Sequence, residues 1–124
     1  MRTILVADDD TGFRELVAKL LDDAGYRVLK ASDGAEAWEM LEASGADMAV
    51  LDLNMPRLDG LQLTQRIRSH PVHSAMPIMM LTIRDLAQDQ EKGYDRGADE
   101  YLPKPFDHRV FIARLKALER RLLA

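Results

Sequence analysis

The feature that most constrains the fold of this 124-residue chain is a regular alternation of short apolar runs with amphipathic stretches. The run Thr3–Ala7 is typical of a buried strand, and the apolar residues after it recur at helical spacing. These residues are Phe13, Leu16, Val17, Leu20, Leu21 and Ala24. The start of the chain therefore predicts a strand followed by a helix, with Thr11 as the helix N-cap and Gly25 as its C-terminal stop.

The same alternation continues along the rest of the chain. Strands are predicted at 27–31, 48–52, 78–82 and 100–102, and helices from Gly34 to near Gly45, at about 61–69, at about 85–96 and at 107–122. Five strands alternating with five helices predict an α/β fold, because right-handed crossovers between parallel strands place helices on both faces of the sheet. The length suits a single domain with its own core.

Composition excludes several classes of protein. The chain has no cysteine, which excludes disulfide scaffolds, thiolate metal sites and cysteine nucleophiles. A net charge of −4 gives no basic field, so we expect no direct binding of nucleic acid by this chain. No apolar run approaches the roughly 20 residues of a membrane span, and no signal peptide is visible. We therefore expect a cytoplasmic protein that does not contact membranes.

Polar residues gather where the predicted strands end. Asp8 and Asp9 follow the first strand, Asp52 ends the third, Thr82 ends the fourth, and Lys104 follows the fifth. The carboxyl ends of parallel strands share one edge of a sheet, which is where ligands bind in such folds. Two carboxylates about 4 Å apart repel by roughly 4 kcal/mol at an effective dielectric constant near 20. The acidic residues therefore need either exposure to water or a positively charged partner.

Four segments resemble the receiver domains of two-component response regulators. They read ILVADDD, VLDLNMPRLDG, IMMLT and GADEYLPKPF, they occur in the order found in that family, and the resemblance covers essentially the whole chain. The resemblance implies a flavodoxin-like (βα)5 doubly wound sandwich with a five-stranded parallel sheet in the order 2-1-3-4-5. It also implies one receiver domain over residues 1–124, either a complete regulator or the N-terminal domain of a longer one.

The resemblance also implies a function for the acidic residues. Asp52 would accept a phosphoryl group from a sensor histidine kinase or a histidine phosphotransfer protein, and the domain would turn over no separate substrate. Mg²⁺, or Mn²⁺ in its place, would be held by Asp9, Asp52 and the backbone carbonyl of Asn54, with Asp8 acting through a water. Lys104 would pair with Asp52 in the empty site and with a phosphoryl oxygen after modification.

A switch is implied by two further residues. Thr82 would move toward the phosphoryl group, and Tyr101 would occupy the vacated space, although Tyr101 could equally be ordinary strand packing. The face formed by the predicted fourth helix, fifth strand and fifth helix would then control an output domain or effector protein, and it could also form a homodimer. Ile83 stands where the family usually has a small residue, so access to Asp52 is expected to be narrowed.

Two alternatives come from other classes. A degenerate receiver would act as an interaction module without phosphorylation, and only Ile83 favours it. A haloacid-dehalogenase-type phosphatase would need a second acid and a threonine after its nucleophile, where this chain has Asn54 and Pro56. Asp10, the third acid of the first cluster, is expected to face solvent or to favour the start of the first helix rather than to bind metal.

Overall fold

The computed structural model describes residues 1–83 and 97–123. The strands are β1 (Thr3–Ala7), β2 (Arg27–Ala31), β3 (Met48–Asp52), β4 (Ile78–Thr82) and β5 (Glu100–Pro103). The helices in the described ranges are α1 (Thr11–Asp23), α2 (Gly34–Ser44), α3 (Gly60–Arg68) and α4 (His108–Leu123). The helix α4 is the fifth helix of the sequence prediction, and the helix predicted at 85–96 lies outside the described residues.

The five strands form one parallel sheet in the order β2-β1-β3-β4-β5, which confirms the predicted order. Every residue of β3 and β4 is buried, as expected for central strands covered on both faces. Because neighbouring side chains point to opposite faces, the apolar residues form two clusters. One cluster packs α1 and α4 on the sheet and the other packs α2 and α3 on it. No helix in the described ranges is both long and apolar enough to cross a bilayer.

The start of α1 differs from the prediction. The N-cap is Asp10, whose carboxylate accepts a hydrogen bond from the backbone N–H of Phe13 at 3.0 Å. Aspartate and threonine are both good N-caps, so a run of three aspartates before Thr11 did not identify the capping residue. Thr11 is instead the first helical residue, and the prediction that it is the N-cap was wrong. Gly25 follows the helix end with a φ of 96°, as expected for a helix stop.

The loop from β3 to α3 is held against the start of α2. Arg57 has a φ of 69°, a backbone conformation that is costly for a residue with a side chain. Its guanidinium contacts both carboxylate oxygens of Asp33, the N-cap of α2, at 2.8 and 2.9 Å. Behind this pair, a Cβ on Gly34 would lie only 1.9 Å from the carbonyl oxygen of Leu58. The loop that follows Asp52 is therefore tied to a neighbouring helix by both charge and close packing.

The start of α3 is packed against the end of β3. Asp59 caps the helix, and Asp59 and Gln62 form a reciprocal capping box. The next residue, Gly60, lies so close to the strand that a Cβ there would be 2.3 Å from the carbonyl oxygen of Asp52 and 2.9 Å from the sulfur of Met80. Only glycine allows this approach, which fixes the distance between α3 and the end of β3.

Candidate functional site at the carboxyl ends of the strands

Three carboxylates converge at the carboxyl ends of β1 and β3, which are neighbours in the sheet. Asp8 and Asp52 are buried, with exposures of 4% and 7%, and Asp9 is exposed. One oxygen of each residue lies within 4.8 Å of the others, which is the only such acidic group of three or more among the described residues that could hold a metal ion. Hard divalent cations such as Mg²⁺ prefer oxygen ligands of this kind.

The carboxylates border an open cavity of about 200 Å³. Its lining residues are Asp9, Asp10, Asp52, Asn54, Ile83 and Lys104. Asn54 is exposed at this cavity, and its backbone N–H interacts with the Asp52 carboxylate. Ile83 is 73% exposed at the rim of the cavity, so its side chain faces solvent instead of packing into the core. The cavity places Asp52 within reach of small ligands from solvent.

Lys104 supplies the positive charge among these acids. Its side chain is 5% exposed, and its Nζ lies 2.7 Å from Oδ2 of Asp8 and 3.9 Å from Oδ2 of Asp52. Its backbone N–H donates to the carbonyl oxygen of Thr82 at 2.7 Å, which ties the segment after β5 to the end of β4. The sequence predicted pairing with Asp52, whereas the shorter contact is to Asp8. Both acids lie beside the ammonium, and residue spacing alone did not rank them.

Burial and crowding change the acidity of the central carboxylate. Loss of hydration and then the charge of Asp8 raise the pKa of Asp52 from 3.8 to about 6, against the opposing effects of Lys104 and the N–H of Asn54. Lys104 therefore neutralises the acidic group only in part. A further cation beside these residues would relieve the remaining repulsion.

Asp8 also accepts hydrogen bonds from two residues of the segment that follows it. The N–H of Asp10 donates to Oδ1 of Asp8 at 3.0 Å, and Nη1 of Arg14 donates to the carbonyl oxygen of Asp8 at 2.9 Å. Asp10 itself caps α1, in agreement with its expected place at the helix start. Arg14 was not recognised from the sequence, because a polar residue in a helix gives no sign that it points back to the preceding loop.

A second residue that the sequence did not identify is Phe13. The helical spacing marked it only as an apolar residue of α1, but its ring lies 4.2 Å from Nζ of Lys104. The contact joins the first turn of α1 to the segment that follows β5. Only the packing of α1 against that segment reveals it.

The two predicted switch residues lie on neighbouring strands of the sheet. Thr82 is fully buried at the end of β4, and Tyr101 is 4% exposed on β5. Tyr101 pairs in register with Met80, two residues before Thr82. Tyr101 belongs to the apolar cluster beneath α2 and α3, so the ring contributes to packing in this structure.

Comparisons with known proteins agree on one family. A family model described as the response regulator receiver domain matches residues 4–116. The response regulator MprA of Mycobacterium ulcerans (strain Agy99) is 47% identical over 118 residues, which are 95% of this chain and 50% of that protein. MprA of Mycobacterium leprae (strain TN) is 46% identical over 95% of this chain and 51% of that protein. The chain thus spans about half the length of the curated relatives it matches.

Solved structures give the same result. A putative response regulator from Chloroflexus aurantiacus has a TM-score of 0.90 and 34% identity, covering 94% of this chain and 96% of the other. The chemotaxis response regulator CheY4 of Vibrio cholerae has a TM-score of 0.90 and 31% identity, and the match covers 95% of this chain and 98% of the other. Both matches extend over nearly the full length of each chain, so the likeness includes the edge of the sheet where the acidic residues lie.

Proposed function

The chain belongs to the response regulator receiver domains of two-component systems, and on that premise we propose that Asp52 accepts a phosphoryl group from a phosphohistidine. The observation that carries the proposal is the meeting of Asp8, Asp9, Asp52 and Lys104 at one edge of the sheet. A carboxylate that attacks phosphorus needs its own charge and the charge of the phosphoryl oxygens to be neutralised, and positioning supplies most of the remaining catalysis.

The acidic residues would hold Mg²⁺, or Mn²⁺ in its place. Asp9 and Asp52 would bind the ion directly, the carbonyl of Asn54 would complete the protein ligands, and Asp8 would act through a water. The bound ion would supply the positive charge that the site otherwise lacks. The raised pKa of Asp52, about 6, supports this assignment, because burial and then the charge of Asp8 disfavour the ionised carboxylate, and a bound cation would offset both effects.

Lys104 would exchange partners during the reaction. In the structure its ammonium pairs with Asp8 at 2.7 Å and lies 3.9 Å from the oxygen of Asp52. After phosphorylation the same ammonium would pair with a phosphoryl oxygen on Asp52, as lysine commonly does with phosphates. The short path between these two partners supports the role, since a small movement of a buried side chain suffices.

The phosphorylated site would act on a distant face. We assign Thr82 as the hydroxyl that responds to the phosphoryl group and Tyr101 as the ring that follows it, with the signal read by the face around residues 85–96, β5 and α4. A sensor histidine kinase or phosphotransfer protein would supply the phosphoryl group in the cytoplasm. An output domain or effector protein would receive the signal, and a homodimer through that face would be one form of output.

The alternatives are less well supported. A degenerate receiver would not need to keep three acids and a buried lysine together, and its one indication, Ile83, is 73% exposed at the rim of the cavity. A haloacid-dehalogenase-type phosphatase would need a second acid at position 54, where this chain has an asparagine. The proposed domain therefore signals, and it turns over no separate substrate.

The test uses the chain, Mg²⁺ and acetyl phosphate, followed by intact mass spectrometry. We expect one added phosphoryl group that is lost in Asp52→Asn and retained in Asp10→Asn. The second variant is a matched control, because it removes the same charge while asparagine remains a good helix cap. An adduct that persists in Asp52→Asn, or that never forms even with a cognate kinase, would overturn the proposal.

A further inference from the structure

We propose that Phe13 is a positioning residue that holds the ammonium of Lys104 at the site through the face of its ring. The proposal rests on the role proposed above for Lys104 as the phosphoryl contact. It concerns a residue of α1 that is not among the residues lining the cavity. Phe13 would act through Lys104 and have no direct contact with the reacting atoms.

The geometry is that of a cation–π contact. Nζ of Lys104 lies 4.2 Å from the centre of the Phe13 ring, within the roughly 6 Å over which such contacts are attractive. The Lys104 side chain is only 5% exposed, so water does little to weaken the attraction. Among residues 1–83 and 97–123, the ammonium thus lies beside the carboxylates of Asp8 and Asp52 and the ring of Phe13.

The ring attracts the Lys104 ammonium whether or not the carboxylates of Asp8 and Asp52 are neutralised, and in this it differs from the two acids. A divalent cation bound by Asp9 and Asp52, with Asp8 acting through a water, would neutralise the carboxylates and weaken their hold on Lys104. A lysine side chain without a fixed partner regains rotamer freedom and leaves its position readily. Phe13 would keep the ammonium beside Asp52 at that stage, before a phosphoryl oxygen is present to bind it.

Phe13 is itself held in place from two directions. Its backbone N–H donates to Asp10, which fixes it in the first turn of α1. Its ring packs against Phe106 with centroids 6.1 Å apart, and Phe106 packs against the fully buried Phe111 at 5.2 Å. Phe106 lies two residues after Lys104. One row of rings therefore connects α1, the segment that carries Lys104, and the core beneath α4.

Packing alone would give Phe13 a simpler role, and substitutions separate the two. Phe13→Leu keeps an apolar side chain in the first turn of α1 but removes the π face. Phe13→Trp keeps the π face. A purely structural role predicts that leucine is tolerated at least as well as the larger tryptophan. The proposal predicts instead that tryptophan keeps the Lys104 ammonium in place and leucine does not.

The first measurement is the NMR shift of the Lys104 ε-methylene protons, assigned by comparison with Lys104→Met and recorded with and without Mg²⁺. The ring face should shift these protons upfield in the wild-type chain, and the shift should persist with Mg²⁺. We expect it to disappear in Phe13→Leu and to return in Phe13→Trp.

The second measurement is the rate of phosphorylation by acetyl phosphate in Mg²⁺. Phe13→Leu should be slower by about threefold to tenfold, the range expected for loss of one partly shielded cation–π contact, and Phe13→Trp should recover most of the rate. Trp38→Leu is the matched control, because it removes the ring beneath Arg66, at 5.4 Å, on a helix of the other layer. This control should leave both the Lys104 shift and the rate unchanged.

The outcomes are separable. The absence of an upfield shift in the wild-type chain overturns the contact, and a wild-type rate in Phe13→Leu overturns its role. Equal losses in Phe13→Leu, Phe13→Trp and Trp38→Leu would show a general effect on folding and also overturn it. Failure of the wild-type chain to become phosphorylated would overturn the proposed function instead, while the NMR shift would still decide whether Phe13 holds Lys104.

Discussion

At the scale of the residue, Asp52 is a carboxyl group that is 7% exposed and lies beside two other acids. Its burial and the charge of Asp8 raise its pKa to about 6 from 3.8. A carboxyl group with a raised pKa binds its proton more tightly in the folded state than in the unfolded state. Its contribution to stability is therefore present at low pH and is lost as pH rises from about 4 through about 6.

The substitution Asp52→Asn should remove the free-energy cost of ionising this buried carboxyl group at high pH. We expect it to increase the free energy of unfolding near pH 8 by roughly 1 to 3 kcal/mol in the absence of divalent cations. The gain should shrink as pH falls through about 6 toward about 4, because the wild-type carboxyl then becomes protonated. Urea denaturation in EDTA across this pH range measures the effect.

The control for this prediction is Asp10→Asn, which removes one negative charge at an exposed helix cap. Its effect on the free energy of unfolding should stay within about 0.5 kcal/mol, as for most surface substitutions. A gain in Asp52→Asn that is the same at all pH values would contradict the assignment, since it would then arise from packing and not from ionisation.

The individual contacts between side chains were the part of the site that the sequence predicted least well. Strand ends placed Asp8, Asp52 and Lys104 at one edge of the sheet, because that follows from the βα order alone. The choice of Asp8 as the closer partner of Lys104 depends on ångström differences that residue spacing does not encode. Phe13 had a sufficient explanation as a core residue of α1, so its second contact gave no sign in the sequence.

At the scale of the element, the bounds of the strands were predictable and the helix starts were less so. The strands β1 to β4 have the predicted ends. The fifth strand extends one residue further, to Pro103. The start of α3 was placed one residue late, at 61, because the capping box formed by Asp59 was not recognised.

The contact between α3 and β3 leads to a prediction at this scale. Gly60→Ala should destabilise the chain by about 3 kcal/mol or more, because its Cβ would overlap the backbone carbonyl of Asp52 rather than a movable side chain. Because the overlap is at the residue proposed to be phosphorylated, the yield of the acetyl phosphate reaction should fall as well. Thermal or urea denaturation and intact mass measure the two effects.

The matched control is Gly12→Ala, also in the first turn of a helix. A Cβ there would lie 3.3 Å from Oδ1 of Asp10, a side-chain atom that can move. Its effect on the free energy of unfolding should be under about 1 kcal/mol, because alanine favours the helix while the cap is disturbed. Equal effects at Gly60 and Gly12 would contradict the close approach of α3 to β3.

At the scale of the whole molecule, the site depends on the complete sheet. Its residues end or follow β1, β3, β4 and β5, and each strand is held by its parallel neighbours. A cation bound by the acidic group would therefore contact the ends of two central strands that unfold only with the core. Binding at this edge should stabilise the entire described fold and not a local loop.

Addition of Mg²⁺ should consequently raise the melting temperature. For a ligand that binds only the folded state, the gain is about 1.4 kcal/mol at a concentration ten times the dissociation constant. Differential scanning calorimetry with increasing Mg²⁺ measures it, and EDTA should reverse it. The gain should be lost in Asp9→Asn and kept in Asp10→Asn, and a gain of equal size in both variants would indicate a general salt effect.

The ion pair between Lys104 and Asp8 joins residues that are 96 positions apart in the sequence. During synthesis, Asp8 and Asp52 leave the ribosome well before Lys104 does, so a partly made chain carries the carboxylate proposed as the acceptor without its buried counter-charge. The sheet at that stage also lacks β5. Under the proposed function, a kinase would therefore meet a complete site only after Lys104 has been made, which would keep unfinished chains from consuming phosphoryl groups.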